Sequence, residues 1–469
     1  MPHIWERLRL SGNWILKKKL GSLAQGTNLY VSISCKKIAM DQNIPSRSTA
    51  ADSRGLRIAV FAGSFPVPSE TFILNQVVEL KKRGHDVQVF GYRHKGRGVL
   101  HPAFLEHHIG RVVHHPWKIV PIYTLRLALG VAQFALLRKG RKEAMQSLDR
   151  KRFGWMAGSL HLFYWACLMT KHQAFDVVHA HFVEVGGRCG MLQSLGLLDA
   201  PIVTSFHGAD VSAEQTSDYK VLVDFAQKHS TLFTYNTEFI ASKAEAMGFP
   251  RKPMRHLPVG LEMAKFPFHD RAGRNERVEI LSVARLDEAK GIHVALESLA
   301  RVAEKGIDFR YRVVGEGPWR ERLEKQISAF GLTGKVELTG WRSQADVARL
   351  LKEADIFLLP SITGTDGRTE GQGLALQEAQ ATGLPVVATI HNGFPENIDC
   401  GKTGLLVPEN DVPSLTEAIC LLVGSQPLRL QIGAAARKYV EKKFDIGILA
   451  DRQEEIIREA IELYRMHPR

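Results

Sequence analysis

Short apolar segments alternate with helix-like segments in two separate parts of the chain, and this alternation restricts its fold more than any other feature. The first series starts with LRIAVFAG at 56–63 and continues with DVVHAH at 176–181, PIVTSFHG at 201–208 and TLFTY at 231–235. The second includes VEILSVARL at 278–286, FRYRVVGEGP at 309–318 and DIFLLPS at 355–361. Strands joined by helices form parallel sheets with right-handed crossovers. The sequence therefore predicts an α/β protein with two doubly wound domains.

The predicted domain boundaries follow from these two series. The 469 residues exceed one ordinary core. Residues 1–54 contain nine Lys or Arg and three acidic residues, which predicts a disordered basic tail. An alternative is that Met40 is the true start. The first domain is predicted at 55–262 with a helical insertion at 99–173, the second at 263–444, and a C-terminal helix at 445–469.

Charge and cysteine content restrict the partners and the compartment. The net charge of +13 favours an acidic partner such as nucleic acid, anionic lipid or a phosphorylated substrate. Five scattered cysteines without a C-x-x-C pair indicate neither zinc nor a disulfide framework, which fits a reducing compartment. No run of 18 apolar residues suggests a membrane-spanning helix.

The insertion at 99–173 combines apolar and basic segments. Residues 119–137 and 160–169 are strongly apolar, and the stretch from Arg111 to Arg152 contains ten basic and two acidic residues. This combination suits contact with an anionic membrane surface. The alternative is that the helices form an outer layer of the domain with a basic solvent side. The sequence leaves both interpretations open.

The segment TEGQGLALQEAQATGLPVVAT, residues 369–389, is the main candidate for chemistry. It predicts a loop carrying Glu370, a helix from near Gly373 to Gly383, and a buried strand. Glu378 then lies about one turn inside the helix. Free amides at a helix N-terminus favour an anion. A glutamate carboxylate at the same place therefore suggests a different role, such as accepting hydrogen bonds from the hydroxyls of a polyol ligand. The alternative is a capping Glu370 and a solvated Glu378.

Two cations and two glycines follow neighbouring strands of the second series. Arg285 and Lys290 flank the turn before Gly291 and a predicted helix, an arrangement typical of a diphosphate site. Gly315 and Gly317 form a tight turn where the backbone can approach a ligand closely. No Asp-x-Asp occurs, so these cations, and not a metal ion, are predicted to supply the positive charge.

Two histidines end strands of the first series, His181 and His207. Ligands of open α/β sheets bind at these carboxyl ends, and His207 is the better candidate because Gly208 follows it. The turn after the first strand contains a single glycine, Gly63, and not G-x-G-x-x-G. Its absence disfavours a nicotinamide-dependent oxidoreductase.

Several of these motifs together resemble a known family. SVARLDEAKG, VVGEGP and TEGQGLALQEAQATGLPVVAT resemble motifs of family 4 retaining glycosyltransferases with the GT-B fold, in which two Rossmann-like domains face a cleft. SFPVPSETFILNQV, HAHF and TSFHGAD resemble the branch that contains colanic acid and amylovoran biosynthesis glycosyltransferases. The resemblance covers about residues 56–444. One departure is Gly63-Ser64-Phe65-Pro66, where many relatives carry a glycine pair.

The resemblance implies a role for each candidate residue. His207 and Glu370 would be catalytic, with Glu370 on the donor sugar and His207 on a sugar hydroxyl near the reacting carbon. Glu378 would bind the ribose hydroxyls. Arg285 and Lys290 would bind the diphosphate. Other contacts with the donor would come from Gly315, Gly317 and the backbone amides of Gln372, Gly373 and Leu374. His181 and Asp210 would lie on the acceptor side.

The implied activity is transfer of a sugar from a nucleoside-diphosphate sugar to a lipid-linked saccharide, with retention, in bacterial exopolysaccharide or lipopolysaccharide biosynthesis. The expected partners are the nucleotide sugar, the lipid-linked acceptor and the anionic inner-membrane surface, without nucleic acid. No cofactor and no metal are expected. The expected location is peripheral, on the cytoplasmic face of the plasma membrane. The alternatives are a nucleotide-sugar epimerase of the same fold and a non-catalytic nucleotide-sugar-binding scaffold.

Overall fold

The computed structural model describes residues 5–10, 13–18, 55–67, 70–93, 102–172, 174–212, 216–251, 253–273 and 277–466. Its contacts divide into two compact units. One contains Thr49–Gly260 together with Ile446–Arg469, and the other contains Leu261–Asp445 together with Met1–Ser48. Each unit has a wholly parallel sheet between helices. The prediction of two doubly wound α/β domains is therefore confirmed.

Two segments of the N-terminal tail are paired as strands. The first strand, β1, is Trp5–Leu10, and it pairs antiparallel with β2, Asn13–Lys18. These residues form a short hairpin, whereas the composition of the tail predicts a disordered chain. The rest of the tail, including Met40, lies outside the described residues.

The first unit contains a seven-stranded parallel sheet. Its strand order is β5-β4-β3-β6-β7-β8-β9, so the chain changes direction across the sheet between β3 and β6. The strands are β3 (Arg57–Ser64), β4 (Asp86–Tyr92), β5 (Val113–His114), β6 (Val177–His181), β7 (Ile202–Phe206), β8 (Leu232–Tyr235) and β9 (Met254–His256). Every residue of β6, β7 and β8 is buried, as expected for parallel strands covered on both faces.

Eleven helices among the described residues surround this sheet. They are α1 (Thr71–Lys82), α2 (Pro102–Glu106), α3 (Tyr123–Ala135), α4 (Arg141–Gln146), α5 (Arg150–Gly158), α6 (His161–Met169), α7 (Val183–Ser194), α8 (Ala209–Ser212), α9 (Ser217–His229), α10 (Glu238–Ala246) and the C-terminal α18 (Ile446–Met466). Helix α18 packs against α1, and Arg83 at the end of α1 donates a 2.6 Å hydrogen bond to Asp451. The C-terminal helix is thus part of the first unit.

The second unit contains a six-stranded parallel sheet in the order β12-β11-β10-β13-β14-β15. The strands are β10 (Val278–Val283), β11 (Phe309–Val314), β12 (Val336–Gly340), β13 (Ile356–Leu359), β14 (Val386–Thr389) and β15 (Gly404–Val407). The helices are α11 (Ile292–Glu304), α12 (Arg320–Ala329), α13 (Gln344–Glu353), α14 (Leu374–Ala381), α15 (Phe394–Asn397), α16 (Val412–Val423) and α17 (Gln426–Phe444). Its direction changes between β10 and β13, where ligands of doubly wound sheets bind.

The two apolar stretches of the insertion have different environments. In α6, Leu162 and Trp165 are fully buried in the core of the first unit, so this stretch is a core helix and not a membrane contact. In α3 and its flanks, large apolar side chains are exposed: Ile122 by 64%, Val131 by 62% and Leu136 by 69%. The insertion also contributes the edge strand β5, which the helical prediction missed.

Within the described part of the chain, no single helix has the length and apolar composition of a membrane span. Helices α16 and α17 meet these criteria only as a pair, across a bend of 100°.

Candidate functional site

The centre of the candidate site in the second unit is the loop that precedes α14. Gly373 ends this loop with a φ of 75°, and a Cβ atom there would lie 2.5 Å from the ring of Phe394. Only glycine fits, which explains why the helix begins at Leu374. The predicted helix and its glycine boundaries are therefore found within two residues of their expected positions.

Lys290 forms an ion pair with Glu370 at this helix N-terminus. Lys290 ends a short 3₁₀ turn, Glu288–Lys290, that follows β10. The next residue, Gly291, has a φ of 65°, and a side chain there would overlap the carbonyl oxygen of Pro360 at the end of β13. The turn therefore packs directly against the neighbouring strand. The two residues that the sequence assigned to diphosphate and sugar are in contact with each other.

Arg285 lies in the turn immediately after β10 and is available to a ligand. Its side chain is 60% exposed, and its Nε lies 3.5 Å from Asp287 Oδ2. Burial lowers the pKa of the nearby Lys290 ammonium, and Asp287 partly offsets this. Two basic groups thus lie near the N-terminus of α14, a position where anions are favoured.

Gly315 and Gly317 support this turn in a way that the sequence did not predict. Side chains at these positions would collide with the carbonyl oxygens of Ala284 and Leu286, respectively. The Leu286 amide also donates a 3.0 Å hydrogen bond to the Glu316 carbonyl. The backbone that closely approaches these glycines is therefore the chain's own Arg285 turn. Their predicted role toward a ligand stays a prediction.

Glu378 lies on α14, two turns from Glu370 in sequence. Burial raises the pKa of its carboxyl group to about 7. A carboxyl group in this environment gains from hydrogen-bond donors such as hydroxyls, because they replace the water that burial has removed. Its predicted contact with ribose hydroxyls is compatible with this environment.

Of the predicted backbone donors, Leu374 is the first residue of α14, and Gln372 and Gly373 belong to the loop before it. The amides at the start of a helix have no carbonyl partner within the helix, so those of Gly373 and Leu374 suit an anion. The Gln372 carbonyl accepts a hydrogen bond from the Asn397 side chain, and Gln372 itself is only 4% exposed. Asn397 thus fixes the loop from which these amides project.

His391 and Asn392 hold both backbone groups of Glu370, a role that the sequence analysis missed. The fully buried His391 accepts a 3.0 Å hydrogen bond at Nε2 from the Glu370 amide, and its Nδ1 lies 2.5 Å from Glu409 Oε1. Asn392 donates a 2.7 Å bond to the Glu370 carbonyl. Ile390 separates both residues from the end of β14, so a search for polar side chains within a few residues of a strand's carboxyl end could have found them.

Three histidines are stacked at the end of β6 and β7 in the first unit. His181 Nδ1 lies 3.0 Å from His207 Nε2, and the ring of His179 lies 4.4 Å from that of His181. Burial, with a smaller contribution from His179, lowers the pKa of His207 to about 3. His207 is therefore neutral at pH 7, and it suits a hydrogen bond to a hydroxyl better than an ion pair. His181, 1% exposed, lies behind it.

Asp210 organises the loop after β7. Its carboxylate accepts hydrogen bonds from the amides of His207 at 3.1 Å, Gly208 at 2.8 Å and Val183 at 3.2 Å. With these amides and a 4% exposed side chain, Asp210 fixes the position of His207. Whether Asp210 or His181 contacts an acceptor stays a prediction, as does the placement of His207 opposite Glu370.

A metal centre has no support among the described side chains. In the parts of the chain that the structure describes, no group of three or more His, Cys, Asp or Glu residues is arranged to hold a metal ion. The predicted independence from metals needs a solution test.

Comparisons with known proteins agree with this architecture. Residues 69–260 match the glycosyl transferase 4-like domain, and residues 267–439 match glycosyl transferases group 1. The chain is 32% identical over 414 residues to the amylovoran biosynthesis glycosyltransferase AmsK of Erwinia amylovora, covering 86% of this chain and 99% of that protein. The chain therefore belongs to the glycosyltransferase family that these two domain models and AmsK represent. The family resemblance that the motifs predicted is thus confirmed.

One further sequence relative and two solved structures are also similar to this glycosyltransferase. WcaL of Escherichia coli strain K12, whose name assigns it provisionally to colanic acid biosynthesis, is 33% identical over 371 residues, which cover 78% of this chain and 90% of WcaL. Anabaena HepE, solved with UDP and glucose, has a TM-score of 0.64 at 18% identity, covering 86% of this chain and 99% of its own. The galactosyltransferase WaaB of the lipopolysaccharide outer core has a TM-score of 0.62 at 15% identity, with 86% and 99% covered. These structures share the GT-B fold with this chain.

Proposed function

We propose that this glycosyltransferase moves a sugar from a nucleoside-diphosphate sugar to a lipid-linked saccharide, with retention at the anomeric carbon, in exopolysaccharide biosynthesis. The observation that carries the proposal is the Lys290–Glu370 ion pair beside Arg285 at the N-terminus of α14. The names of AmsK and WcaL support the pathway, and the UDP complex of HepE supports the class of donor.

The ion pair suggests how the donor enters. A diphosphate has more negative charge than a carboxylate, so it competes with Glu370 for Lys290 and, with Arg285, forms charge-assisted hydrogen bonds. Glu370 is then released from Lys290 and accepts hydrogen bonds from sugar hydroxyls. Because His391 and Asn392 hold the Glu370 backbone, only its side chain has to move.

The proposed reaction takes place on one face of the sugar. The acceptor hydroxyl oxygen forms a bond to the anomeric carbon while the bond from that carbon to the β-phosphate oxygen breaks. The hydroxyl proton passes to the departing phosphate oxygen. Lys290 and Arg285 stabilise the charge that develops there, and such a group commonly contributes about 3–4 kcal/mol to lowering the barrier.

The acceptor's lipid would account for the exposed apolar side chains of α3 and its flanks. Ile122, Val131 and Leu136 project from a segment whose net charge is positive. Such a surface fits an anionic bilayer, where apolar side chains enter the headgroup region and each nearby cation adds about 1 kcal/mol. We therefore place the enzyme peripherally, on the cytoplasmic face of the membrane.

The decisive test is turnover by the full-length protein with a nucleoside-diphosphate sugar and a lipid-linked saccharide. We expect a glycosidic product whose anomeric configuration, read by NMR, matches that of the donor, and little loss of activity with EDTA. An inverted product would contradict retention, and complete loss with EDTA would contradict metal independence. An epimerised nucleotide sugar, or donor binding without turnover, would instead support an epimerase or a scaffold.

A further inference from the structure

A cluster of hydrogen-bond donors without partners lies in the core of the first unit. The Arg188 guanidinium carbon lies 5.0 Å from the ring centre of Tyr92 and 5.1 Å from that of Trp165. The two rings are 5.3 Å apart. Four buried atoms of this cluster have no hydrogen-bond partner among the described residues: Arg188 Nε and Nη1, Tyr92 Oη and Trp165 Nε1.

The cluster is costly in the absence of a ligand. Arg188 is 7% exposed and Trp165 is fully buried, so these atoms are shielded from bulk solvent. A buried charge without a counter-ion destabilises a core, and so does each buried donor without an acceptor. Stacking of Arg188 on two rings offsets only part of this. Apolar residues of similar volume would make a more stable core, so the donors indicate a function.

The nearest carboxyl group on the same helix does not satisfy Arg188. Glu184 precedes it by one turn of α7, and burial raises the pKa of Glu184 to about 6. Arg188 opposes this increase only as a minor contribution. Within the described residues, Arg188 therefore has no close ionic partner.

The cluster lies at the ligand-binding edge of the sheet. Tyr92 is the last residue of β4, and His161, whose ring centre is 6.0 Å from that of Tyr92, is the first residue of α6. Glu184 lies in the first turn of α7, which follows β6. Carboxyl ends of strands and N-termini of helices meet at this edge, where open α/β sheets bind ligands. Trp155, 36% exposed and 5.5 Å from His161, extends the aromatic side chains toward the surface.

We propose that Arg188, Tyr92 and Trp165 form a subsite that binds an oxyanion of the acceptor. All four atoms without partners can donate hydrogen bonds, two of them belong to the permanently charged guanidinium of Arg188, and aromatic rings suit the apolar face of a sugar. The oxyanion is either a phosphate of the lipid-linked diphosphate or a carboxylate on the saccharide. This inference rests on the proposed function, because it assumes an acceptor in the first unit.

Thermal unfolding of the full-length protein with added anions tests this proposal. The probes are inorganic phosphate, inorganic pyrophosphate and glucuronate, each added after nucleoside diphosphate has saturated the donor site. We expect at least one anion to raise the unfolding temperature of the wild type but not of Arg188→Met. A response to phosphates identifies the diphosphate as the source, and a response to glucuronate identifies a carboxylate. No response in the wild type, or equal responses in both proteins, would overturn the subsite.

Two further variants keep the test independent of folding. Arg152→Met is the matched control, because Arg152 also stacks on a ring, that of Phe153 at 4.9 Å, but lies outside the cluster. It should respond as the wild type does. Tyr92→Phe removes one donor and keeps the ring, so it should weaken the anion response without loss of the fold.

Kinetics separates this subsite from the donor site. Arg188→Met should raise the KM for the acceptor roughly 10-fold or more and leave the nucleoside diphosphate affinity in calorimetry unchanged. An unchanged acceptor KM would contradict the subsite while leaving the proposed transferase intact. If the wild type forms no glycosidic product, the proposed function fails instead.

Discussion

At the scale of single residues, Lys290 and Glu370 connect two motifs of the second unit. Their side chains are only 21% and 23% exposed, so the ion pair is partly shielded from water. Sequence reasoning assigned each residue to a different part of the donor and did not pair them. The pairing depends on Gly291, which brings the turn after β10 against Pro360. It therefore arises from backbone packing and not from either motif alone.

Removal of either cation should weaken donor binding. In Lys290→Ala or Arg285→Ala, the diphosphate loses a charge-assisted hydrogen bond of about 1.5–3 kcal/mol, which corresponds to roughly 10- to 100-fold in Kd. Calorimetry with the nucleoside diphosphate measures this. The control is Arg320→Ala on α12, where the arginine pairs with Glu316 and Glu324. Unchanged affinity in both site variants would rule out the diphosphate clamp.

Glu378 should make the stability of the ligand-free protein depend on pH. Its pKa is raised from 4.5 to about 7 by burial. Between these values the unfolded carboxyl group is ionised while the folded one keeps its proton, so stability falls as pH rises through this window, by up to about 3 kcal/mol. Glu378→Gln should remove this loss.

Denaturant unfolding at pH 5 and pH 8 measures the effect of Glu378. The stability difference between Glu378→Gln and wild type should increase with pH, in favour of the variant. Glu321→Gln, at a position whose side chain is 81% exposed, serves as the control. The same difference at both pH values would mean that Glu378 ionises alike in the folded and unfolded states.

At the scale of secondary-structure elements, the two apolar stretches of the insertion are the most informative pair. Composition alone made both of them candidates for membrane contact. Helix α6 fills the core behind β3 and β4, whereas α3 leaves Val131 and Leu136 in solvent. Hydrophobic content could not separate these cases, because exposure depends on which neighbouring elements cover each helix.

Helix α3 should bind anionic vesicles. Purified residues 55–469 should pellet with anionic liposomes at low salt, and much less with neutral liposomes or at high salt, because the electrostatic part is screened over ~8 Å at physiological ionic strength. Val131→Asp combined with Leu136→Asp should abolish pelleting, since both side chains are exposed and the fold does not require them.

The matched control for α3 is Trp341→Asp, which replaces a 74% exposed apolar residue of the second unit. This variant should pellet as the wild type does. Wild-type protein that stays in the supernatant with anionic vesicles at low salt would show that α3 is an ordinary solvated helix.

At the scale of the whole molecule, the sequence predicted what depends on local patterns. Buried strands, the βαβ order and the helix limits at Gly373 and Gly383 follow from periodicity and glycine placement. It missed β5 and β9, which contain two and three residues, because such short strands are defined by their neighbours. It also missed His391, whose role appears only when β14 is placed beside the Glu370 loop.

Helix α18, at the C-terminal end of the sequence, packs into the core of the first unit. Ile456, Ile457 and Ala460 are buried in the core formed by β3, β4 and α1. Arg255 binds Glu459 through a 2.9 Å bond from Nε, and Gln453 reaches the buried His179 at 3.1 Å. These contacts make the last helix a structural part of a unit that begins almost four hundred residues earlier.

Truncation after Asp445 should therefore destabilise the first unit selectively. The two isoleucines alone contribute about 3–6 kcal/mol of burial free energy, a large fraction of the stability of a domain. In calorimetric unfolding, the transition of the first unit should shift to a much lower temperature. The transition of residues 261–445 should persist, and nucleoside diphosphate should still raise its midpoint, because Arg285, Lys290 and Glu378 all lie in that unit. Equal shifts of both transitions would mean that α18 stabilises the molecule as a whole and is not specifically part of the first unit.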